Sequence, residues 1–307
     1  MKILKNFIDK NKNKKFFTFF DKFLYRITDH DTFAYGASLT YFLVLSIFPF
    51  LISLVNAINY SGILDPEYII NFMDVLPADI QRIVLNFLKE LNNSSSGSFL
   101  TISFIAGLFT ASGAVNKLIK IINQSYGFDE KRNFIVLRLT ALFFTIALIV
   151  MIFLLVLTQI FGGIIYSNIM NFLEIDNSLF DTIWIIAKNA IPVIYMIITF
   201  VLLYKFSPSN SKKNMITFKG VIPGAIFATL GMIIASLGFG FYVSNFGNYS
   251  VTYGSLGGII VFLVWLYLIS VIILIGAEVN STLYSMKYFP TLNKWPRGDS
   301  IFKGILN

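Results

Sequence analysis

SLGGIIVFLVWLYLISVIILIGAEV, residues 255–279, is an apolar run whose first charged side chain is Glu278, near its end. A helix rises about 1.5 Å per residue, so a run of this length can cross the ~30 Å hydrocarbon core of a bilayer. The apolar residues are continuous and do not alternate, which reads as a helix and not as a barrel strand. In hydrocarbon each backbone N–H and C=O needs a partner, and a helix supplies these within the segment. Five further runs of the same kind lie upstream, at 33–58, 99–116, 139–165, 182–204 and 220–243.

Composition agrees with that reading. Of 307 residues, 56% are hydrophobic and 13% charged, and the mean hydropathy is +0.73. A water-soluble domain has nowhere to put so much apolar surface. The sequence therefore predicts an all-α, polytopic membrane bundle of six transmembrane helices with added amphipathic interfacial helices. Its expected plan is a basic amphipathic segment at 1–30, a transmembrane domain at 31–285 and a tail at 286–307.

Charge predicts the orientation. Of the 24 Lys and Arg, 21 fall in the N-terminal segment, the second and fourth connections and the C-terminal segment. The opposite side holds Arg82 and Lys89, and Lys188 lies within a run. Cytoplasmic loops collect Lys and Arg, so both termini are expected in the cytoplasm, with the bacterial plasma membrane as the location. The formal net charge of +8 is thus read as a topology and lipid signal. A nucleic-acid partner is not expected, because the cations flank spans and form no separate basic domain. The absence of cysteine removes disulfides, thiol nucleophiles and Cys-ligated metal. The first run is too long for a cleavable signal and is expected to act as an uncleaved anchor.

Two amphipathic segments lie outside the runs. Residues 3–28 interleave Lys with Phe16, Phe17, Phe20, Phe23, Leu24 and Ile27. This is either an interfacial helix on an anionic leaflet or a helix packed beneath the bundle. Residues 66–92 form an outer amphipathic helix, expected to break near Pro77.

Within the spans, Gly220, Gly224, Ala228, Gly231, Ala235 and Gly238 make a row of small residues on one helical face. Close helix packing is the ordinary reason, and a groove for an elongated ligand is the sharper one. Pro223 is expected to kink that span or shape its first turn. Pro49 in the first span and Pro192 in the fourth would correspond if the two halves were inverted repeats. Glu278 is the leading intramembrane charge, able to hold a proton or cation, to pair with a base from another helix, or to serve structurally at the interface. Lys188 is expected to snorkel to the headgroups. Asn116, Lys117 and Lys120 close the second span as interface anchors, and Asn280 points away from Glu278. His30, between Asp29 and Asp31, reads as a solvated helix start and not as a metal ligand. No Walker loop, HExxH, GxSxG or spaced metal cluster is present, so no catalytic centre, metal or cofactor is expected.

Several stretches carry a resemblance. AYGASLTYFLVLSIFPFLISL (34–54), TASGAVNKLIKIINQSYG (110–127) with Arg132 after it, LYKFSP (203–208), FKGVIPGAIFATL (218–230) and YGSLGGIIVFLVWLYLISVIILIGAEVNSTL (253–283) occur in order. The set resembles the YihY/BrkB family of bacterial inner-membrane proteins, some formerly labelled ribonuclease BN-like. The resemblance implies a six-helix plasma-membrane protein. It makes Tyr41, Ser46, Pro49, Ser112, Asn116, Pro223, Gly224, Tyr253, Gly254, Trp265 and Glu278 the positions to test.

The functional expectation is transport, or assistance to transport, of a lipid-like or amphiphilic cargo, with membrane lipids as partners. A hydrophilic ion path would carry more polar groups inside the membrane. The alternatives are a scaffold of the cell envelope and a membrane-bound hydrolase. The ribonuclease label fits poorly, because RNA hydrolysis needs clustered metal ligands or a paired acid and base.

Overall fold

The computed structural model describes residues 15–61, 97–159, 162–163, 166, 170, 178–209, 216–246 and 256–288. Every regular element among them is helical: α1 (Lys15–Asp29), α2 (Thr32–Ser61), α3 (Gly97–Ser125), α4 (Phe134–Gln159), α5 (Ser178–Phe206), α6 (Phe218–Phe246) and α7 (Leu256–Tyr288). The outer helix expected at 66–92 lies outside the described residues, as do 1–14 and 289–307.

Among the described residues, five helices are long and apolar enough to cross a bilayer, over Ile105–Ser125, Phe134–Met151, Phe180–Phe206, Phe218–Asn245 and Gly257–Lys287. Where six crossings are expected, the sixth rests on α2. That helix has 30 residues, and its described apolar portion is Thr32–Ser46. Neither Pro49 nor Pro192 ends its helix: α2 and α5 each continue through the proline.

Consecutive helices from α2 to α7 are neighbours, and α7 closes the ring against α2 while also touching α3 and α1. The outer surface is apolar: Ile183, Ile186, Ile194, Ile234, Leu237 and Phe241 are all exposed. The interior is richer in small and polar groups, with Ser112, Thr145, Thr199, Thr229, Ser270, Asn280 and Ser281 buried. This distribution suits lipid as the solvent, where helices associate through close packing and interhelical hydrogen bonds.

Helix ends follow local chemistry. Thr217 caps α6 through its Oγ1, which accepts from Gly220 N at 3.2 Å, and Asn133 Oδ1 caps α4 by accepting from Val136 N at 2.9 Å. The second apolar run stops near Lys117, yet α3 continues to Ser125. The corrected end is set by Gly127, which takes a left-handed φ of 68°. Gly127 N then donates to Gln124 O at 2.9 Å and Phe128 N to Asn123 O at 3.0 Å, satisfying the last carbonyls. Lys117 is accordingly not a terminal anchor; its ammonium lies over the Tyr35 ring, 5.3 Å from the centroid.

The small-residue row is used for packing in its middle. A side chain at Gly224 would collide with the Gly276 carbonyl and the Asn280 amide, so α6 and α7 touch there backbone to backbone. Ala228 is fully buried, and Gly231 faces Ile272. At the far end Gly238 has open space beside it.

Candidate functional site

The ends of α3, α5 and α7, the starts of α2, α4 and α6, and α1 lie together at one end of the bundle, the basic end. Helix α1 brings its basic face inward. Lys22 and Arg26, one turn apart, are buried with Ile27, while Phe16, Phe20 and Leu24 form an exposed stripe. Of the two sequence expectations for this helix, packing beneath the bundle is the one observed: its basic face is buried, and an apolar stripe remains outward.

The chain leaves α1 through a sharp turn. His30 N donates to Arg26 O at 2.9 Å, and Asp31 takes a φ of 47°, a left-handed conformation that aspartate tolerates better than most residues. The turn directs His30 inward while Asp29 and Asp31 stay exposed. This corrects the reading of His30 as a solvated helix start. Local composition around His30 is polar, but the turn geometry drives its ring into the bundle.

There His30 Nδ1 lies 2.7 Å from Glu278 Oε1. The same oxygen accepts a hydrogen bond from Ser125 Oγ at 2.7 Å. The other, Oε2, accepts from Arg26 Nε at 3.3 Å and from Ser281 Oγ at 3.1 Å. Arg26 also donates to the Ser125 carbonyl. Glu278 is 1% exposed, so its charge is balanced by these partners and not by water. A buried carboxylate without them would cost several kcal/mol. Of the roles open to Glu278, pairing with a base from another helix is the one observed.

Asn280 points away from this cluster, as its spacing predicts. Its Oδ1 accepts from Gly224 N at 2.7 Å and its Nδ2 donates to Val221 O at 2.9 Å, locking α7 to α6. Tyr204 Oη donates to Ile273 O at 2.7 Å and joins α5 to the same crossing.

Tyr126 follows Ser125 and is 2% exposed, and its hydroxyl has no hydrogen-bond partner among the described residues. Burial pushes its phenol above the ordinary tyrosine value; the Arg26 charge opposes the rise and the Glu278 charge adds to it. The group therefore stays a protonated donor at neutral pH. Tyr126 also lines a cavity of about 270 Å³ between the first turns of α6 and the last turns of α7, with Thr217, Lys219, Pro223, Tyr284 and Lys287.

The remaining candidates are dispersed. Tyr41 is 62% exposed on the outer surface. Ser46 and Ser112 are buried, each returning its hydroxyl to a carbonyl of its own helix, Leu43 at 2.7 Å and Phe109 at 2.8 Å. Asn116 Oδ1 is buried with no hydrogen-bond partner among the described residues. Trp265 Nε1 donates to Ser236 Oγ at 3.4 Å across α7 and α6. Lys188 lies toward the opposite end of the bundle, its stem against Gly162. Tyr253, Gly254 and the Pro49 side chain lie outside the described residues. Among the described residues no three His, Cys, Asp or Glu gather as a metal site.

Sequence reasoning missed Arg26, Ser125, Ser281 and Tyr126 as site residues. Arg26 is one cation among several in a basic segment, and nothing in its spacing marks its partner. His30, the one histidine, was the available signal.

Residues 23–300 match the family described as Virulence factor BrkB. The chain is 35% identical over 278 residues to the ribonuclease-like protein YfkH of Bacillus subtilis (strain 168), covering 91% of this chain and 99% of that one. It is 33% identical over 115 residues to UPF0761 membrane proteins of Xanthomonas axonopodis pv. citri (strain 306) and Xanthomonas euvesicatoria pv. vesicatoria (strain 85-10), covering 38% of this chain and 26% of each. No solved structure gives a significant match.

Proposed function

Because the chain belongs to the BrkB family of membrane proteins, we propose that it moves an amphiphilic cargo across the bacterial cytoplasmic membrane, or assists that movement. The observation that carries this reading is the Arg26–His30–Glu278 cluster. A lipid-embedded bundle gains little stability from a buried ion cluster, and such groups in membrane proteins serve pathways and switches by default. Here the cluster joins the separate helix α1 to α7, with the carboxylate as the shared partner. A proton on Glu278 would weaken its attraction for Arg26 and free α1 to shift. The amphiphilic character of the cargo is supported by the exposed Phe16–Phe20–Leu24 stripe at the basic end.

In this reading both termini face the cytoplasm, consistent with the gathering of cations at one end of the bundle. The chain has no cysteine, so single-cysteine variants can be labelled with an impermeant maleimide without background. Labelling of a Lys15→Cys variant from outside intact cells would reverse the orientation.

The transport reading is tested in proteoliposomes carrying headgroup-labelled fluorescent phospholipids, with and without a pH gradient. Wild type is expected to accelerate exchange between leaflets over empty vesicles. Glu278→Gln is expected to reduce that rate at unchanged protein content. Exchange by wild type no faster than in empty vesicles defeats the reading; a normal rate in Glu278→Gln removes the cluster from the mechanism.

A further inference from the structure

Arg138 is a cation inside a span with no acid to face. It stands one turn into α4, within the apolar stretch Phe134–Met151. Ile135 and Leu139 flank it on α4, and Ile102 and Ile105 extend the face of Phe109 along α3; all five apolar residues are exposed. In a bilayer such a surface meets acyl chains, so water cannot screen the charge as it would in solution. Neither α3 nor α4 contains an Asp or Glu. The connection between them holds Asp129 and Glu130, and the Glu130 carboxylate is engaged by Arg132 and Asn123. Arg138 forms no ion pair among the described residues.

The second, independent observation is that its guanidinium is fixed with one edge left over. Cζ lies 3.8 Å from the centre of the Phe109 ring, a cation–π contact, and Nη2 donates to the Phe109 carbonyl at 2.6 Å. Nε is buried and bonds nothing among the described residues. Nη1 also has no partner among them but, unlike Nε, is not sealed off. Nη1 and the remaining N–H of Nη2 lie side by side on a planar fork that matches two oxygens of one phosphate. The Phe109 carbonyl takes one N–H but leaves the net charge without a counter-charge. Charges retained within spans are paired or functional, and the pairing group that these helices lack is an anion.

We propose that Arg138 binds the phosphate of an anionic phospholipid whose acyl chains lie along the exposed α3–α4 face. An anionic headgroup is preferred to a zwitterionic one because these two helices offer no carboxylate to an ammonium or choline group. A free phosphate ion would have to leave water for an apolar flank, whereas a lipid brings its phosphate with its chains. The site is separate from the Arg26–His30–Glu278 cluster, since Phe109 and Ser125 are about 24 Å apart along α3. It concerns which lipid occupies one flank at equilibrium, so it stands or falls independently of the transport reading.

The chain has no cysteine, so a bimane label on an Ile135→Cys variant, one turn from Arg138 on the same exposed face, reports the lipid beside it. The full chain is placed in phosphatidylcholine vesicles that contain an equal minor fraction of acyl-brominated phosphatidylglycerol or acyl-brominated phosphatidylcholine, whose bromines quench the label. With Arg138 present, the apparent affinity for phosphatidylglycerol is expected to exceed that for phosphatidylcholine about fivefold. Arg138→Gln is expected to abolish the preference, and Arg138→Lys, which keeps the charge but loses the fork, to retain only part of it. The same label on Ile234→Cys, exposed on α6, is expected to show no such preference. Equal quenching by the two lipids with Arg138 present overturns the proposal, and this comparison needs no Arg138 variant to fold. A preference that survives Arg138→Gln, or one equally strong at Ile234→Cys, overturns it as well, because the attraction would then be a general one to a basic protein. Relief of the phosphatidylglycerol quenching by inorganic phosphate would give the site to the free anion and overturn the lipid assignment. A preference retained in a chain that exchanges no lipid between leaflets would keep this site and remove the transport reading alone.

Discussion

Arg26 and Glu278, 252 residues apart in the chain, form a buried ion pair with Nε and Oε2 3.3 Å apart. Each end of the protein thereby holds the other. The pair ties α1 to the last span at the point where α3 ends, so loss of either partner removes a principal counter-charge from the other.

Replacing Arg26 with Met is expected to lower stability by about 3–5 kcal/mol, because Glu278 keeps its buried carboxylate and loses its strongest counter-charge. Arg26→Met combined with Glu278→Met should be less damaging than the sum of the two single changes. Thermal unfolding in detergent of the four proteins of this cycle measures the coupling. Additive losses would mean that the pair contributes nothing as a pair.

Glycines of the α6 row should differ sharply in what they tolerate. Gly224→Ala places a methyl group on the Gly276 carbonyl and the Asn280 amide. Separation of the two helices should cost about 1–3 kcal/mol and weaken the Asn280 hydrogen bonds. Gly238→Ala meets nothing within 4 Å and should change stability by less than about 0.5 kcal/mol. Paired melting curves decide this; equal effects at the two positions would contradict the crossing geometry.

Gly127→Ala should be destabilising for a backbone reason. The φ of 68° places a Cβ against the following carbonyl and costs about 1–2 kcal/mol. Gly127→Asn should cost less, since asparagine tolerates the left-handed region. A melting temperature for Gly127→Ala equal to that of wild type would rule out this turn as the stop of α3.

Glu130 carries a pH dependence. Burial disfavours its charged form, but hydrogen bonds and charge from Arg132, with a further hydrogen bond from Asn123, outweigh burial and hold the carboxyl below the usual glutamate value. The folded value is therefore below the unfolded one. The stabilisation is complete above the unfolded value of about 4.3 and is lost as pH falls through the folded value. Arg132 also donates to Ser207 O at 2.6 Å, so the lost contact loosens the α3–α4 connection from the end of α5. Wild type should melt above Glu130→Gln at pH 7, by under about 2 kcal/mol for this partly exposed pair, and the gap should close in acid. A gap that is constant with pH would show that the carboxylate charge is not the cause.

The fold class was legible because hydropathy sums along the chain. Each apolar run carries its own evidence of helix and of lipid, independent of its neighbours; α3, α5 and α6 each contain the apolar run predicted for them, α7 contains all but the first residue of its own, and α4 contains its run as far as Gln159. The helix ends were less legible. Lys117 and Lys120 looked like the close of a span because they are charged, but the backbone stops where Gly127 allows it to turn. The polar face of α3 beyond Lys117 is instead spent on the site, through Ser125.

The site itself was half visible. Glu278 stood out because a carboxylate is unusual in lipid, and Gly224 because a row of small residues marks close helix packing. Arg26 and Tyr126 did not, because a cation in a basic segment and an aromatic at a helix end are ordinary there. Their roles arise from position in space. The neighbours of His30 mislead, since two exposed aspartates say nothing about which way a turn sends the residue between them.

From the sequence by itself follow the helical class, the lipid solvent and the gathering of cations at alternate connections, because each depends on local composition. Tertiary structure alone decided that α1 turns its basic face inward, that Arg26 and His30 meet Glu278, and that α6 touches α7 at Gly224. Those outcomes depend on how each helix is rotated about its axis. That rotation is set by the packing of all its neighbours together, and no single segment encodes it.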